Sequence, residues 1–228
     1  MNTNVNLAAV IGVLALLATG VVLAILVLIF IYTLVARKFA ASRLALLAAL
    51  ALLALYCGSM LAFSLVSRER VLARGEEKYF CEIDCHLAYS VTDVRKSKTL
   101  GDAPGEATAK GLFYVVTLRT RFDEATVSAR RGDGPLFPNP RSLRIFDAQG
   151  RSYEVSEEGR RALASAKTEG TPLDTPLRPG ESYTTQLVFD LPADATAPTL
   201  LVNESDWPTR FIVGHENSPV HKATRFQL

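Results

Sequence analysis

Residues 7–35, LAAVIGVLALLATGVVLAILVLIFIYTLV, contain no charged side chain and decide the first part of the fold. A second uncharged run, residues 44–66, follows a link that carries Arg37, Lys38 and Arg43. A helix needs about 20 apolar residues to cross about 30 Å of hydrocarbon, so each run is long enough to span a bilayer. Both runs must be helical there, because lipid offers no water to the backbone N–H and C=O groups. The sequence therefore predicts a transmembrane hairpin in residues 1–67, with the lipid bilayer as its partner.

The first run differs from a cleavable signal peptide. No basic residue precedes it, its apolar core is too long, and no convincing cleavage site of small residues stands before the second run. We therefore expect both helices to remain in the protein.

Charge is distributed unevenly along the 228 residues. The chain has 25 basic and 23 acidic residues, but only three of the basic ones and none of the acidic ones lie in the first 67. Residues 68–228 are therefore nearly neutral, with a formal charge of −1. A domain without an excess of Lys and Arg cannot neutralise a phosphate backbone, which excludes a basic nucleic-acid-binding protein.

The charges also predict the orientation of the hairpin. The link between the spans carries three basic residues, whereas residues 1–6 carry none, so the positive-inside rule places the link in the cytoplasm. Large domains translocate largely regardless of the charges beside them, and the mixed charges after the second span do not alter this prediction. We expect a two-pass protein of the cytoplasmic (inner) membrane whose C-terminal domain is extracytoplasmic.

The pattern of apolar residues changes period after the second span. Residues 112–122 and 183–191 alternate between apolar and polar positions, as strands with one buried face do. Shorter candidate strands are residues 79–94, 142–146, 152–155, 198–202, 211–213 and 225–228.

Helical patterns are few in this part of the chain. Residues 156–167 predict one short helix, with Ser156 as its cap and Leu163 on its inner side. Residues 68–77 predict a helical extension of the second span. We expect residues 68–78 to be a juxtamembrane connector and residues 79–228 to be an all-β immunoglobulin-like sandwich with one short helix.

The order of strands and turns between residues 110 and 203 resembles a known family. The segments that carry the resemblance are GLFYVVTL at 111–118, LRIFDAQGRSY at 143–153, LRPGES at 177–182 and LVFDLP at 187–192. They are similar to the DUF4352-type immunoglobulin-like domain of bacterial surface proteins. The resemblance implies an extracytoplasmic β-sandwich with a binding or accessory role. It implies no enzymatic activity and transfers no functional residues.

Sequence motifs of common enzymes are absent. The chain contains no G-x-S-x-G, Walker A, G-x-G-x-x-G or H-E-x-x-H pattern. Together with the anchor and the sandwich pattern, this favours a non-enzymatic, membrane-anchored accessory or binding protein.

One group of residues points to a different class of function. Cys81, Cys85 and His86 lie within six residues, and His215 and His221 lie near the C-terminus. The first and last strands of immunoglobulin-like sandwiches often lie side by side, so the two groups could converge. Thiolate and imidazole together bind copper or zinc. Two transmembrane helices before a β-rich domain with Cys-x-x-x-Cys also resemble cytochrome oxidase subunit II in outline, although residues 68–228 contain no Met ligand. The alternative function is therefore a copper-binding, electron-transfer or metallochaperone module.

A disulfide is the competing interpretation of Cys81 and Cys85. In a regular strand, residues four apart are separated by about 13 Å, whereas a disulfide needs Cα atoms roughly 4.4–6.8 Å apart. Either a bridge or a shared metal ion therefore requires a turn or bulge between the two cysteines. An oxidising compartment favours the bridge, and metal ligation and free thiols stay open as alternatives.

Small residues recur along the second span. Ala54, Gly58 and Ala62 form an i, i+4, i+8 stripe, which would let another helix approach closely in lipid. The stripe could bind another membrane or envelope protein, or it could pack on the first span. The surface of the sandwich is the other candidate for a protein partner.

Overall fold

The computed structural model describes residues 7–80, 87–126 and 131–228. They divide into two compact units. The helical unit comprises residues 7–68 together with Asp206–Lys222, and the sandwich unit comprises Glu69–Ser205 together with Ala223–Leu228.

Two long helices form most of the helical unit. α1 spans Leu7–Val35 and α2 spans Phe39–Val66. The turn between them is short because Arg37 adopts a left-handed conformation (φ 56°) and Lys38 N donates to Thr33 O at 2.8 Å. This arrangement of the turn satisfies carbonyls at the end of α1. The two predicted apolar helices and the short turn between them are thus present, with Arg43 inside α2 rather than in the link.

The two helices share one packed face. The least exposed positions recur at alternating steps of three and four residues, which is the spacing of paired helices. Along the shared face they are Leu16, Thr19, Leu23, Leu26, Phe30 and Thr33 in α1, and Ser42, Ala45, Ala49, Leu52, Tyr56 and Ser59 in α2; Gly12 and Ser64 are also buried. The remaining faces expose large apolar side chains, such as Leu28 (66%), Leu55 (72%) and Val66 (80%).

Two β-sheets form the sandwich unit. The strands are β1 (Arg70–Leu72), β2 (Lys78–Phe80), β3 (Leu87–Leu100), β4 (Ala107–Phe122), β5 (Arg141–Phe146), β6 (Ser152–Tyr153), β7 (Ser182–Leu191), β8 (Thr199–Glu204) and β9 (Thr224–Gln227). One sheet has the order β1-β9-β8-β5-β6 and the other has the order β2-β3-β4-β7. β1 and β9 pair in parallel, and the other neighbouring strands pair antiparallel. The predicted two-sheet sandwich is confirmed.

The main core lies between the sheets. Alternation along β4 turns Val116, Leu118 and Phe122 inward, and all three are fully buried. The side chains they join from the other strands include Leu87, Tyr89, Val91, Phe189, Ile145, Leu200 and Phe226. Removal of this apolar surface from water supplies the main driving force for closing the sandwich.

A short helix covers the outer face of the four-stranded sheet. α3 spans Glu157–Ser165, and Ser156 Oγ accepts a hydrogen bond from Gly159 N, as predicted for the cap. Leu163 packs with a second buried cluster that includes Phe113, Val115 and Val188. Both faces of β4 are therefore buried along this part of the strand.

Three local predictions are wrong. Residues 68–77 do not extend the second helix, because Leu72 is buried in the sandwich core and β1 pairs with β9. The predicted strand 79–94 is two strands, β2 and β3. No strand forms at residues 211–213, because a 3-10 helix spans Trp207–Phe211 and a bend and a turn follow it. Pro208 fits in the first turn of this helix because the N–H that it lacks would have no partner there.

Candidate functional site

Cys81, Cys85 and His86, the first half of the predicted metal or redox site, lie outside the described residues. Their described neighbours Phe80 and Leu87 are paired partners in adjacent antiparallel strands. The disulfide, metal and free-thiol interpretations of these residues stay predictions.

The second half of that predicted site, His215 and His221, belongs to the helical unit. His215 Nδ1 accepts a hydrogen bond from Asn217 N at 3.0 Å, and His221 Nδ1 lies 2.9 Å from Lys222 O. Each ring therefore contacts the backbone of its own segment. Within residues 7–80, 87–126 and 131–228, no three His, Cys, Asp or Glu side chains gather into a group that could hold a metal ion.

The stripe of small residues on α2 is exposed. Ala54, Gly58 and Ala62 all face away from α1, and a Cβ atom added at Gly58 would meet nothing within 4 Å. The helix pair instead packs through a different row of small residues, including Ser42 and Ala45. Docking of another membrane protein on the exposed stripe stays a prediction.

An ion-pair network lies beside β2 and at the end of β4. Arg121 donates from Nε and Nη2 to the two carboxylate oxygens of Glu77, at 2.7 and 2.6 Å. Arg121 Nη1 lies 3.2 Å from Asp123 Oδ1. Tyr79 Oη lies 2.8 Å from Asp123 Oδ2 and 3.0 Å from Glu77 Oε2. Because β3 separates β2 from β4, the network ties together two strands that do not pair directly.

The protonation states of this network suit a structural role. Hydrogen bonding from Arg121 lowers the pKa of Glu77. Burial acts to raise the pKa of Asp123, but hydrogen bonds from Tyr79 and Arg121 outweigh burial and lower it. Burial and the neighbouring carboxylates raise the pKa of the Tyr79 phenol. A general base needs a pKa near the working pH, and these shifts move all three groups away from neutrality.

Two buried cations connect the sheets of the sandwich. Lys78 in β2 is only 7% exposed, and its Nζ donates to Val202 O at 2.8 Å and to Thr224 O at 3.1 Å in the opposite sheet. Arg141 in β5 places its guanidinium 4.3 Å from the centre of the Phe80 ring. Lys78 Nζ lies 4.9 Å from the same ring. No pattern in the sequence indicates this arrangement, because Lys78 lies in the charged stretch that predicts a juxtamembrane connector.

A second polar cluster organises the turn after β5. Asp147 Oδ1 accepts hydrogen bonds from Gln149 N at 3.0 Å and Arg151 N at 2.9 Å. Asp147 Oδ2 accepts from Arg151 Nε at 2.7 Å and Tyr153 Oη at 2.9 Å. Burial acts to raise the pKa of Asp147, but these donors lower it overall. With both carboxylate oxygens occupied, Asp147 stabilises the turn rather than serving as a base.

A shallow groove of about 900 Å³ lies on the sandwich unit. Its lining combines acidic and basic side chains with three hydroxyl groups: Lys98, Lys110, Glu154, Glu157, Glu158, Arg161, Asp190, Ser152, Tyr153 and Ser156. Asp190 accepts from Lys110 N and Gly111 N at 2.7 and 2.9 Å, so part of this polarity is used internally. No histidine lies beside the hydroxyl groups among the lining residues. The groove offers a polar binding surface of mixed charge rather than a nucleophile with its base.

Residues 206–222 form an attachment to the two long helices. Tyr56 Oη in α2 donates to Phe211 O at 2.5 Å, and Lys222 N donates to Ser67 Oγ at 2.8 Å. Trp207 and Phe211 stack edge to face, with ring centres 4.8 Å apart. Nothing in the sequence pattern indicated that this segment, which lies between β8 and β9 in the chain, would join the helices.

Comparison with known proteins identifies no family. No family model matches the chain, and no curated protein shows significant similarity. A conserved hypothetical protein from Bacillus anthracis is 15% identical, with a TM-score of 0.44, over 59% of this chain and 91% of that one.

Two further solved structures are similar at the same level. A secreted protein from Mycobacterium tuberculosis is 14% identical, with a TM-score of 0.42, over 72% of this chain and 100% of that one. An uncharacterised β-sandwich protein from Clostridium difficile is 9% identical, with a TM-score of 0.39, over 71% and 95%.

Proposed function

We propose that this chain is a non-enzymatic, membrane-anchored accessory protein that presents its sandwich unit as an extracytoplasmic binding domain. The observation that carries the proposal is the exposure of apolar side chains around α1 and α2. Each exposed leucine or valine on these helices is unfavourable in water, by about 25 cal/mol per Å² of apolar surface. A bilayer removes this unfavourable exposure to water around the whole circumference of the helix pair.

The pairing of the helices supports an anchor rather than a cleaved signal sequence. α1 covers the row of α2 that includes Ser42, Ala45 and Tyr56. Removal of α1 would leave this row, with its serine hydroxyls, facing lipid. Polar groups in the hydrocarbon are unfavourable unless a neighbouring helix contacts them.

The sandwich unit supports a binding role. Its described ion-pair clusters have internal partners, its groove carries charges of both signs, and its nearly neutral surface suits a protein or polar ligand rather than nucleic acid. Catalytic turnover that depends on a residue of this unit would contradict the proposal.

The test of anchoring uses the full chain with a tag after Leu228. We expect the protein to stay in the membrane pellet after an alkaline carbonate wash and to keep the mass of the whole chain, which is 24.8 kDa plus the mass of the tag. Release into the wash, or loss of the N-terminal segment by cleavage, would contradict the two-helix anchor.

The test of orientation uses two reporters fused after Leu228. A phosphatase that is active only outside the cytoplasm should be active, and a reporter that is active only in the cytoplasm should be silent. The opposite pattern would place the sandwich unit in the cytoplasm.

A further inference from the structure

We propose that residues 206–222 are a third membrane-associated element, which places Trp207 and Phe211 in the interfacial layer of the phospholipid bilayer around the helices. The inference rests on the proposed membrane anchor. It adds a segment that contacts lipid although it lies between two strands of the sandwich in the chain. This segment contains no apolar run long enough to span the bilayer.

Two hydrogen bonds fix the segment to α2. Tyr56 Oη binds the carbonyl of Phe211 at the end of the 3-10 helix, and Ser67 Oγ, directly after α2, binds Lys222 N at the end of the segment. The segment is therefore held at Phe211, near its middle, and at Lys222, its last residue. Both contacts come from α2 or from the residue directly after it.

Gly12 allows the same segment to lie against α1. A Cβ atom at residue 12 would be 2.5 Å from Val213 O and 2.8 Å from Ile212 Cγ2. Any larger side chain would occupy the space that the segment fills. Gly20, on the same helix, has nothing within 4 Å of the equivalent position.

The position of Gly12 gives the depth of the contact. Gly12 precedes Val35, the last residue of α1, by 23 residues, which is about 35 Å at 1.5 Å per residue. The hydrocarbon core is about 30 Å thick. With the charged turn after α1 at one boundary, Gly12 and the Val213 carbonyl beside it lie near the other boundary.

The exposed side chains of the segment suit that depth. Trp207 is 66% exposed and Phe211 is 41% exposed, although both rings are large and apolar. Tryptophan is enriched at the membrane interface, where its ring sits at the level of the headgroups. The segment has two basic and two acidic residues, so it has no excess of positive charge that would attract anionic lipid. Burial of the two rings therefore drives its contact with the bilayer.

The experiment uses the fact that Trp207 is the only tryptophan in the chain. The full chain is reconstituted into phosphatidylcholine vesicles, and Trp207 emission is recorded with lipids brominated close to the headgroup or near the bilayer centre, and with aqueous iodide. We expect strong quenching by the headgroup-proximal bromines, weaker quenching by the central bromines, and little quenching by iodide.

Matched variants test the attachment. Gly12→Leu should make Trp207 accessible to iodide and reduce quenching by brominated lipid, whereas Gly20→Leu should leave both unchanged. Tyr56→Phe, which removes only the hydroxyl, should shift the two signals in the same direction, and Tyr32→Phe on α1 is its control.

The outcomes separate this inference from the anchor itself. If the protein floats with the vesicles but Trp207 is quenched by iodide and not by brominated lipid, the interfacial segment is wrong and the anchor stands. If the protein does not float with the vesicles, the anchor fails as well. Equal effects of Gly12→Leu and Gly20→Leu would overturn the proposed contact between residues 206–222 and Gly12 of α1.

Discussion

Arg121 shows how one side chain stabilises two others. Its guanidinium holds Glu77 in a two-pronged ion pair and also contacts Asp123, while the three side chains are mostly buried. Charged hydrogen bonds of this kind are shorter and stronger than neutral ones. Loss of the arginine would leave two carboxylates close together with little water to solvate them.

We predict that Arg121→Gln lowers the free energy of unfolding of the sandwich unit by about 1–3 kcal/mol at neutral pH, because it leaves partly buried carboxylates without their cation. The measurement is urea unfolding of the full chain in detergent, followed by far-ultraviolet circular dichroism. Arg119→Gln on the same strand is the control, because Arg119 is exposed. Equal effects of the two variants would contradict a specific role for Arg121.

The same variant gives a prediction for pH. The pKa values of Glu77 and Asp123 are lowered in the folded protein. Their contribution is therefore present above the unfolded-state values of about 4 and is lost as the pH falls through the lowered folded-state values. We expect the stability of the unmodified protein to fall steeply below about pH 4 and that of Arg121→Gln to fall less. Parallel curves would show that the pair does not control the acid response.

Cys81 and Cys85 are open to a direct chemical test. We predict that the full chain, isolated from an oxidising compartment and unfolded in detergent, has one titratable thiol, from Cys57, because the other two cysteines form a bridge. Thiol titration and intact mass before and after reduction measure this, and elemental analysis of the native protein measures copper and zinc. Three free thiols, or a stoichiometric metal ion, would contradict the bridge.

At the scale of elements, the contact of α3 with the sheet depends on a glycine. A Cβ atom at Gly159 would lie 2.4 Å from Val188 Cγ1. Alanine favours a helix over glycine by about 1 kcal/mol, but forcing a methyl group into a packed contact costs about 1–3 kcal/mol. Packing should win here, because Ala162 and Leu163 are also buried and α3 cannot move away from the sheet without exposing them.

We therefore predict that Gly159→Ala lowers the stability of the sandwich unit, and that Val188→Ala in the same chain restores part of the loss. A double-mutant cycle of urea unfolding measures the coupling. Additive effects of the two substitutions, or a more stable Gly159→Ala variant, would show that the helix can move away from the sheet without cost.

Local patterns predicted the elements whose cause is local. The uncharged runs predicted α1 and α2, alternation predicted β4 and β7, and Ser156 predicted the start of α3. The sequence does not predict β1, because three residues are too few to show an alternating pattern. They form a strand only because they pair with β9. The charge of Lys78 likewise predicts an exposed side chain, whereas the residue is buried because its partners are carbonyls distant in sequence.

The candidate sites were harder to predict than the fold. Cysteines and histidines are residue types that bind metal ions, yet the rings of His215 and His221 contact the backbone of their own segment. The segment that joins the helical unit has no long apolar run, and its attachment depends on single contacts at Gly12, Tyr56 and Ser67. Such contacts depend on the tertiary fold and leave no periodic signal.

At the scale of the whole molecule, the chain leaves the sandwich unit between two neighbouring strands. β8 and β9 pair with Leu200 opposite Phe226, and the register continued brings Asn203 opposite Ala223. Residues 206–222 are thus an insertion in what would otherwise be a tight hairpin. Long insertions of this kind change stability little, because loop closure depends only weakly on length.

We predict that replacing residues 206–222 by Asn-Gly leaves the sandwich unit folded, with its free energy of unfolding changed by no more than about 2 kcal/mol. The shortened loop has four residues, a length that joins antiparallel strands well. Far-ultraviolet circular dichroism and urea unfolding of the full-length variant in detergent measure the outcome. Loss of the sheet signal would show that the insertion is needed for the sandwich itself.

The parallel pair of β1 and β9 has a consequence for biosynthesis. β1 follows α2 by a few residues, yet its partner is the last strand of the chain. A ribosome that has already synthesised both helices must still complete translation to Gln227 before that strand can dock. The edge of β8 therefore stays open until β9 has left the ribosome. A product that stops at Lys222 would contain both helices and eight of the nine strands, yet it would be unable to complete its five-stranded sheet.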